Sequence, residues 1–177
     1  MDEPRGRCVQ ILTRRLFGCG LLALPVLGAG QAGARVAEPL PALYPGTILV
    51  STGRRRLYFA LPNGQALSYP VAVGKPGKQW FGQRMIDGKH VRPAWSPPDD
   101  VKRDNPHLPA VIPGGAPNNP MGERALTIAP GQYAIHGTNR PESIGAWASY
   151  GCIRMHNRDI IDLFDRVTVG APIIVVR

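Results

Sequence analysis

The sequence predicts a mainly β domain with a helix near its end, on three observations. Its 177 residues include 21 Gly and 19 Pro without the every-third glycine of a collagen, a surplus that marks many turns and long ordered loops. Short runs rich in β-branched and aromatic residues recur between those turns. Only the stretch after Asn157 shows the 3.6-residue period of a helix. The length suits one domain and is too short for two well-built ones. At 44% hydrophobic and 19% charged residues, the composition excludes a disordered tail protein and a multi-span membrane protein.

Residues 1–34 read as an export signal. Arg5, Arg7, Arg14 and Arg15 precede the apolar run Leu16–Gly30, which is too short for a membrane span of about 20 residues. Ala32-Gly33-Ala34 offers small residues to a signal peptidase, with cleavage expected after Ala34. Thr13-Arg14-Arg15-Leu16-Phe17 resembles a twin-arginine signature, so the domain is expected to cross the membrane folded; a general secretory signal is the other reading. Both place the protein in the periplasm or cell envelope. Residues 35–45 read as a short linker and 46–177 as the domain proper. Cys8 and Cys19 leave with the signal, so Cys152 has no partner for an internal disulfide. Four arginines leave together with Asp2 and Glu3, which takes the net charge from +9 to +7. That balance favours an anionic partner such as a cell-wall polymer, and export weighs against nucleic acid.

Thr47–Ser51, Arg56–Leu61 and Gln65–Val73 read as a meander of strands, separated by Thr52-Gly53 and by Pro62-Asn63-Gly64 with its hairpin-forming Asn-Gly pair. The triplet Arg54-Arg55-Arg56 reads as an exposed hairpin edge kept from sticking by charge. From Gly74 to Gly122 the chain reads as an irregular Pro/Gly-rich excursion, ordered by Trp80, Trp95 and Met85-Ile86, of the kind that forms covers and binding loops. Leu126–Ile128 and Tyr133–Ile135 read as strands leading to His136. Residues 158–167 place apolar side chains at 160, 161, 163, 164 and 167 on one helical face, with Asn157 as N-cap. Pro172–Val176 is a closing strand.

Chemistry concentrates at His136-Gly137 and at Ser149-Tyr150-Gly151-Cys152-Ile153-Arg154. A thiol is a poor nucleophile until deprotonated, and a neighbouring imidazole removes its proton and stabilises the thiolate. The spacing supplies both members without showing that they meet. Gly137 permits backbone to approach the histidine. The N–H groups of Gly151 and Cys152 are candidates for an oxyanion hole, each donor typically contributing roughly 10² to 10³ in rate. Arg154 shares a face with Cys152 if the segment is extended, where it would hold a substrate carboxylate or favour the thiolate. Ser149, Tyr150 and Trp147 are expected to touch substrate; Trp80 and Trp95 are read as core or groove packing. His90, His107 and His156 read as surface or capping residues, and His136, Cys152 and His156 match no zinc spacing. No metal or cofactor is expected.

The strings IHGTN (135–139), Ser143-Ile144-Gly145 and S-Y-G-C-I-R-M (149–155), with YPVAVGK (69–75), the Pro93–Pro97 P-x-W-x-P pattern and Asn119-Pro120-x-Gly122, resemble the L,D-transpeptidase catalytic domain, also called YkuD or ErfK/YbiS/YcfS/YnhG. The likeness spans roughly residues 45–177. It implies a β-sandwich with one or two short helices and a site under a loop or lid. It also implies attack by Cys152 on the meso-diaminopimelate–D-Ala carbonyl of a peptidoglycan stem, with transfer to an amine of another stem or of a wall-anchored protein. By matching positions, His136 is the base, the Gly137 carbonyl orients its ring, Gly151 and Cys152 supply oxyanion donors, and Arg154 lies near substrate. Relatives usually carry histidine where this chain has Tyr150, whose hydroxyl would replace part of its hydrogen bonding. Carbapenem β-lactams are expected as covalent inhibitors and a monomer as the working form. Two other outcomes fit: hydrolysis of the same thioester by water, making the protein an L,D-carboxypeptidase or endopeptidase, and an inactive peptidoglycan-binding module.

Overall fold

The computed structural model describes the backbone of residues 37–39 and, in full, residues 43–177; the expected export signal lies outside them. Among the described residues, eleven strands and two α-helices follow in the order β1 (Ala37–Pro39), β2 (Ile48–Ser51), β3 (Arg56–Ala60), β4 (Gln65–Pro70), β5 (Val73–Gly74), β6 (Gly82–Val91), α1 (Asp99–Asp104), β7 (Arg124–Ala129), β8 (Tyr133–His136), β9 (Trp147–Ser149), β10 (Ile153–Arg154), α2 (Asn157–Arg166) and β11 (Pro172–Val176), with a 3-10 turn at Pro141–Ser143. Nine strands form one sheet in the order β1-β4-β3-β2-β11-β6-β7-β8-β10, and β5 pairs with β9 in a separate ribbon. The fold is mostly strand, as the sequence predicts.

Alternation explains the first hairpins. Ile48 and Val50 of β2 and Leu57 of β3 are fully buried, and the strands pair antiparallel with Ile48 opposite Phe59. The arginine triplet forms the turn and the first residue of β3: Arg55 has φ 53°, and Arg56 Nε donates to Ser68 Oγ at 2.7 Å. The expected strand 65–73 breaks at Pro70, which lacks an N–H for a continued ladder. Beyond it β5 leaves the main sheet.

The excursion 74–122 is not irregular throughout. It contains β6, ten residues long, paired with β11 on one side and β7 on the other, and the six-residue α1. Among its polar run Gln83-Arg84-Met85-Ile86-Asp87-Gly88-Lys89-His90, only Ile86 is buried. No apolar alternation therefore announces the strand, and its two neighbours hold it in place.

Helix α2 lies where the 3.6 period predicts and buries Ile160 and Leu163. It packs against β7 and β8, while Tyr69 of β4 donates to its Asp162 at 2.6 Å. The sheet thus curls until both its arms reach one helix. Lys89 Nζ closes the helix C-terminus by donating to the carbonyls of Phe164 and Val167, both at 2.6 Å. Asn157 is the first helical residue and not the cap, a position taken by His156. Its amide serves a tertiary purpose described below.

Candidate active site

Strands β8 and β10 pair in parallel, with Ile135 opposite Ile153 and His136 opposite Arg154. Side chains two apart along an extended segment share a face. Cys152 and Arg154 therefore stand on the face that also carries His136, and all three line one cleft of about 970 Å³. Tyr133, Ser149 and Tyr150 line it too, together with α1 and the Arg140–Ser143 turn.

His136 is buried, at 4% exposure, and its Nδ1 lies 2.7 Å from the Gly137 carbonyl. A carbonyl only accepts, so Nδ1 carries the ring proton and Nε2 keeps the lone pair. Burial, reinforced by the charge of Arg154 and opposed by the carbonyls of Gly137 and Pro120, lowers the imidazole from the usual 6.5 to about 4. Burial also pushes the Cys152 thiol up, against the backbone at Ala134 and the charge of Arg154. Cys152 is nonetheless only half-buried as a residue and lines the cleft, and its thiol hydrogen bond goes to the Gln132 carbonyl at 4.0 Å. Both directions favour the uncharged forms of the thiol and the imidazole.

Asn157 braces this arrangement. Its Oδ1 accepts the N–H groups of Glu123 (3.2 Å) and Thr138 (3.1 Å), and its Nδ2 donates to the Thr138 carbonyl at 3.0 Å. The amide packs so closely on Gly137 that a Cβ there would collide with Oδ1. Helix α2 thereby fixes the backbone whose carbonyl holds His136.

The loop that carries Cys152 is held in the same manner. Gly151 has φ +117°, and the ring of Tyr133 occupies the space a Cβ would need. Its N–H, expected to meet an oxyanion, donates to Ser149 Oγ at 3.1 Å. Ser149 Oγ in turn donates to the Cys152 carbonyl at 2.5 Å, so this serine, expected to touch substrate, closes the loop.

Tyr150 reaches α1: its hydroxyl donates to Asp104 at 2.6 Å, a bond that holds the phenol proton more firmly than usual. The Lys75 ammonium lies 4.4 Å from its ring centroid. Lys78 pairs with Asp100 of α1 at 2.5 Å. The sequence reading missed α1 and these partners. The usable signal was Asp99-Asp100 in the first turn after Pro98, with Lys102-Arg103 in the last.

Trp147 is displaced from the expected site. It lines a second cleft of about 450 Å³ with Phe81, Gln79 and Arg177, and the Arg55 guanidinium sits 4.3 Å from its ring centroid. The cause is local. The ribbon pairs Val73 with Trp147 but Gly74 with Ser149, leaving Ala148 extra. A bulge of this kind re-aims side chains that plain alternation would place on one face.

Residues 45–175 match the L,D-transpeptidase catalytic domain. The chain is 44% identical over 169 residues to the putative L,D-transpeptidase YqjB of Bacillus subtilis, covering 91% of this chain and 85% of that one. It is 32% identical over 191 residues to the probable L,D-transpeptidase YcfS of Escherichia coli, covering 97% of this chain but only 59% of that protein. In three dimensions it superposes on an L,D-transpeptidase from Mycobacterium smegmatis with a TM-score of 0.59 at 19% identity, over 74% of this chain and 58% of the other.

Proposed function

The chain belongs to the L,D-transpeptidase catalytic-domain family, and from that membership we propose that it cross-links peptidoglycan through a Cys152 thioester. The observation that carries the reading is the convergence of Cys152, His136 and Arg154 on one cleft, with the His136 ring proton directed to Gly137. In this scheme His136 Nε2 takes the thiol proton as Sγ adds to the carbonyl between diaminopimelate and D-Ala. The Cys152 N–H meets the developing oxyanion. The C–N bond then breaks, the imidazolium proton passes to the departing D-Ala nitrogen, and a thioester remains. An acceptor amine attacks it, gives its proton to His136 and releases the thiolate, which recovers a proton from the imidazolium.

The cleft's charges support this substrate class. Arg140, Arg154 and Lys75 line it beside Asp99, Asp104 and Glu142, a mixture suited to a stem peptide that carries both carboxylates and a free amine. The amino-terminal segment is proposed to deliver the domain to the cell envelope, where such stems occur.

Incubation with tetrapeptide muropeptides, followed by separation of the products, tests the activity. Dimers lacking one D-Ala are expected, and Cys152→Ser should yield none. Shortened monomers alone would assign hydrolysis in place of transfer. Unchanged muropeptides would overturn the reading.

A further inference from the structure

Trp80 belongs to none of the residues assigned to the reaction and does not line the cleft, yet it reaches the nucleophile loop from behind. Its indole is buried, at 8% exposure, and Nε1–H donates to the Gly151 carbonyl at 3.0 Å. The ring stacks on Tyr133, centroids 5.5 Å apart and planes 26° from parallel. Arg84 of β6 covers both rings, its guanidinium carbon 4.5 Å from the Trp80 centroid and 4.9 Å from that of Tyr133. The indole is thereby locked on a stack that also presses against Gly151.

A trans peptide group directs its carbonyl and the following N–H in opposite directions. A donor that holds the Gly151 oxygen thus aims the Cys152 N–H away from itself. Tyr133 and Cys152 line the cleft and Trp80 does not, so away from Trp80 is toward the substrate. The flanking peptide groups are tied by Ser149 Oγ, which accepts from Gly151 N–H at 3.1 Å and donates to the Cys152 carbonyl at 2.5 Å. With the Gly151 N–H so engaged, the Cys152 amide is the loop's donor for charge developing on a carbonyl oxygen.

We infer that Trp80 is a positioning residue for acyl transfer: its indole N–H, braced by Tyr133 and Arg84, orients the Gly151–Cys152 peptide so that the Cys152 amide stabilises the tetrahedral oxyanion. This role rests on the proposed thioester chemistry. It differs from a packing role in a measurable respect, because the sulfur also undergoes reactions in which no oxyanion forms.

Two reactions of Cys152 in the full chain, followed by mass spectrometry of the peptide that contains it, separate the alternatives. Imipenem acylates the sulfur: the S–C bond forms, the β-lactam C–N bond breaks, the ring nitrogen takes the thiol proton, and the carbonyl oxygen passes through an oxyanion. Iodoacetamide alkylates the same sulfur by displacing iodide, with no oxyanion. In Trp80→Phe, acylation is expected to slow by about 10- to 100-fold, somewhat less than the roughly 10² to 10³ for outright loss of a donor, because the amide remains but is no longer aimed. Alkylation should stay within about threefold of wild type, since it depends only on thiolate population and access. Benzothienylalanine at position 80, which keeps the ring shape and replaces N–H by sulfur, should reproduce both results and guards against a packing defect in the phenylalanine variant. Acylation within about threefold of wild type in either variant, or parallel slowing of both reactions, would overturn the role. A wild-type protein that imipenem does not acylate would overturn the thioester reading and this role together. A wild-type protein acylated no faster than its variants would overturn the role alone.

Discussion

Burial acts on Cys152 and His136 to one effect: each is held uncharged. The thiol is pushed up, and the imidazole, brought down to about 4, does not compensate by carrying a proton at neutral pH. Both directions disfavour a preformed thiolate–imidazolium pair of the kind found in low-pKa catalytic cysteines. Absorbance near 240 nm, compared between wild type and Cys152→Ser, should show no thiolate step between about pH 5 and 8. A step there would mean that the ion pair is already formed. Stability should record the same histidine. Between its unfolded value of 6.5 and its native value of about 4, the unfolded chain binds a proton that the native state refuses, so stability rises with pH across that window. The contribution is complete above pH 6.5 and lost as pH falls towards 4, to the extent of about 3 kcal/mol. Urea unfolding at the two ends of the window should show this loss in wild type and much less of it in His136→Gln. Cys152 and His136 were legible as a motif. Their charge states were not, because desolvation depends on neighbours far along the chain.

Among the elements, α2 does more than cover the core. Its first residue, Asn157, ties the Glu123 and Thr138 backbones on either side of Gly137, so the helix determines where the carbonyl behind His136 stands. Asn157→Ala should cost about 2–3 kcal/mol, three hydrogen bonds to partly buried backbone being lost together, and acylation should slow more than alkylation as the imidazole loses its orientation. Denaturant melts alongside the two labelling rates would measure both. Periodicity located α2 well but assigned Asn157 a local cap, since an N-cap residue and a side chain reaching 34 residues back look alike in a line of text. The ribbon teaches a similar lesson: one extra residue at Ala148 sends Trp147 to a different cleft from Ser149. Strand β6 shows the opposite failure, as its exposed, polar faces gave alternation nothing to report.

At the scale of the molecule, the curled sheet closes on Ile160 and Leu163 of α2, both fully buried. Leu163→Ala should destabilise by about 3 kcal/mol, the usual order for a leucine removed from a packed core. Val169→Ala, at an exposed position, should stay within about 0.5 kcal/mol. Chemical unfolding of the two variants side by side checks the contrast, and comparable losses would show that the helix is not the common core of both sheet arms. The amino-acid order by itself determined the β character, the first hairpins, the C-terminal helix and strand, and the thiol and imidazole motifs, because each follows from residue types within a few positions of one another. Only the tertiary structure decided that β8 and β10 lie side by side, that Tyr150 fastens α1, and that Trp80 holds the loop 71 residues away. Those pairings depend on which distant surfaces bury each other, and desolvation and peptide orientation follow from the completed packing.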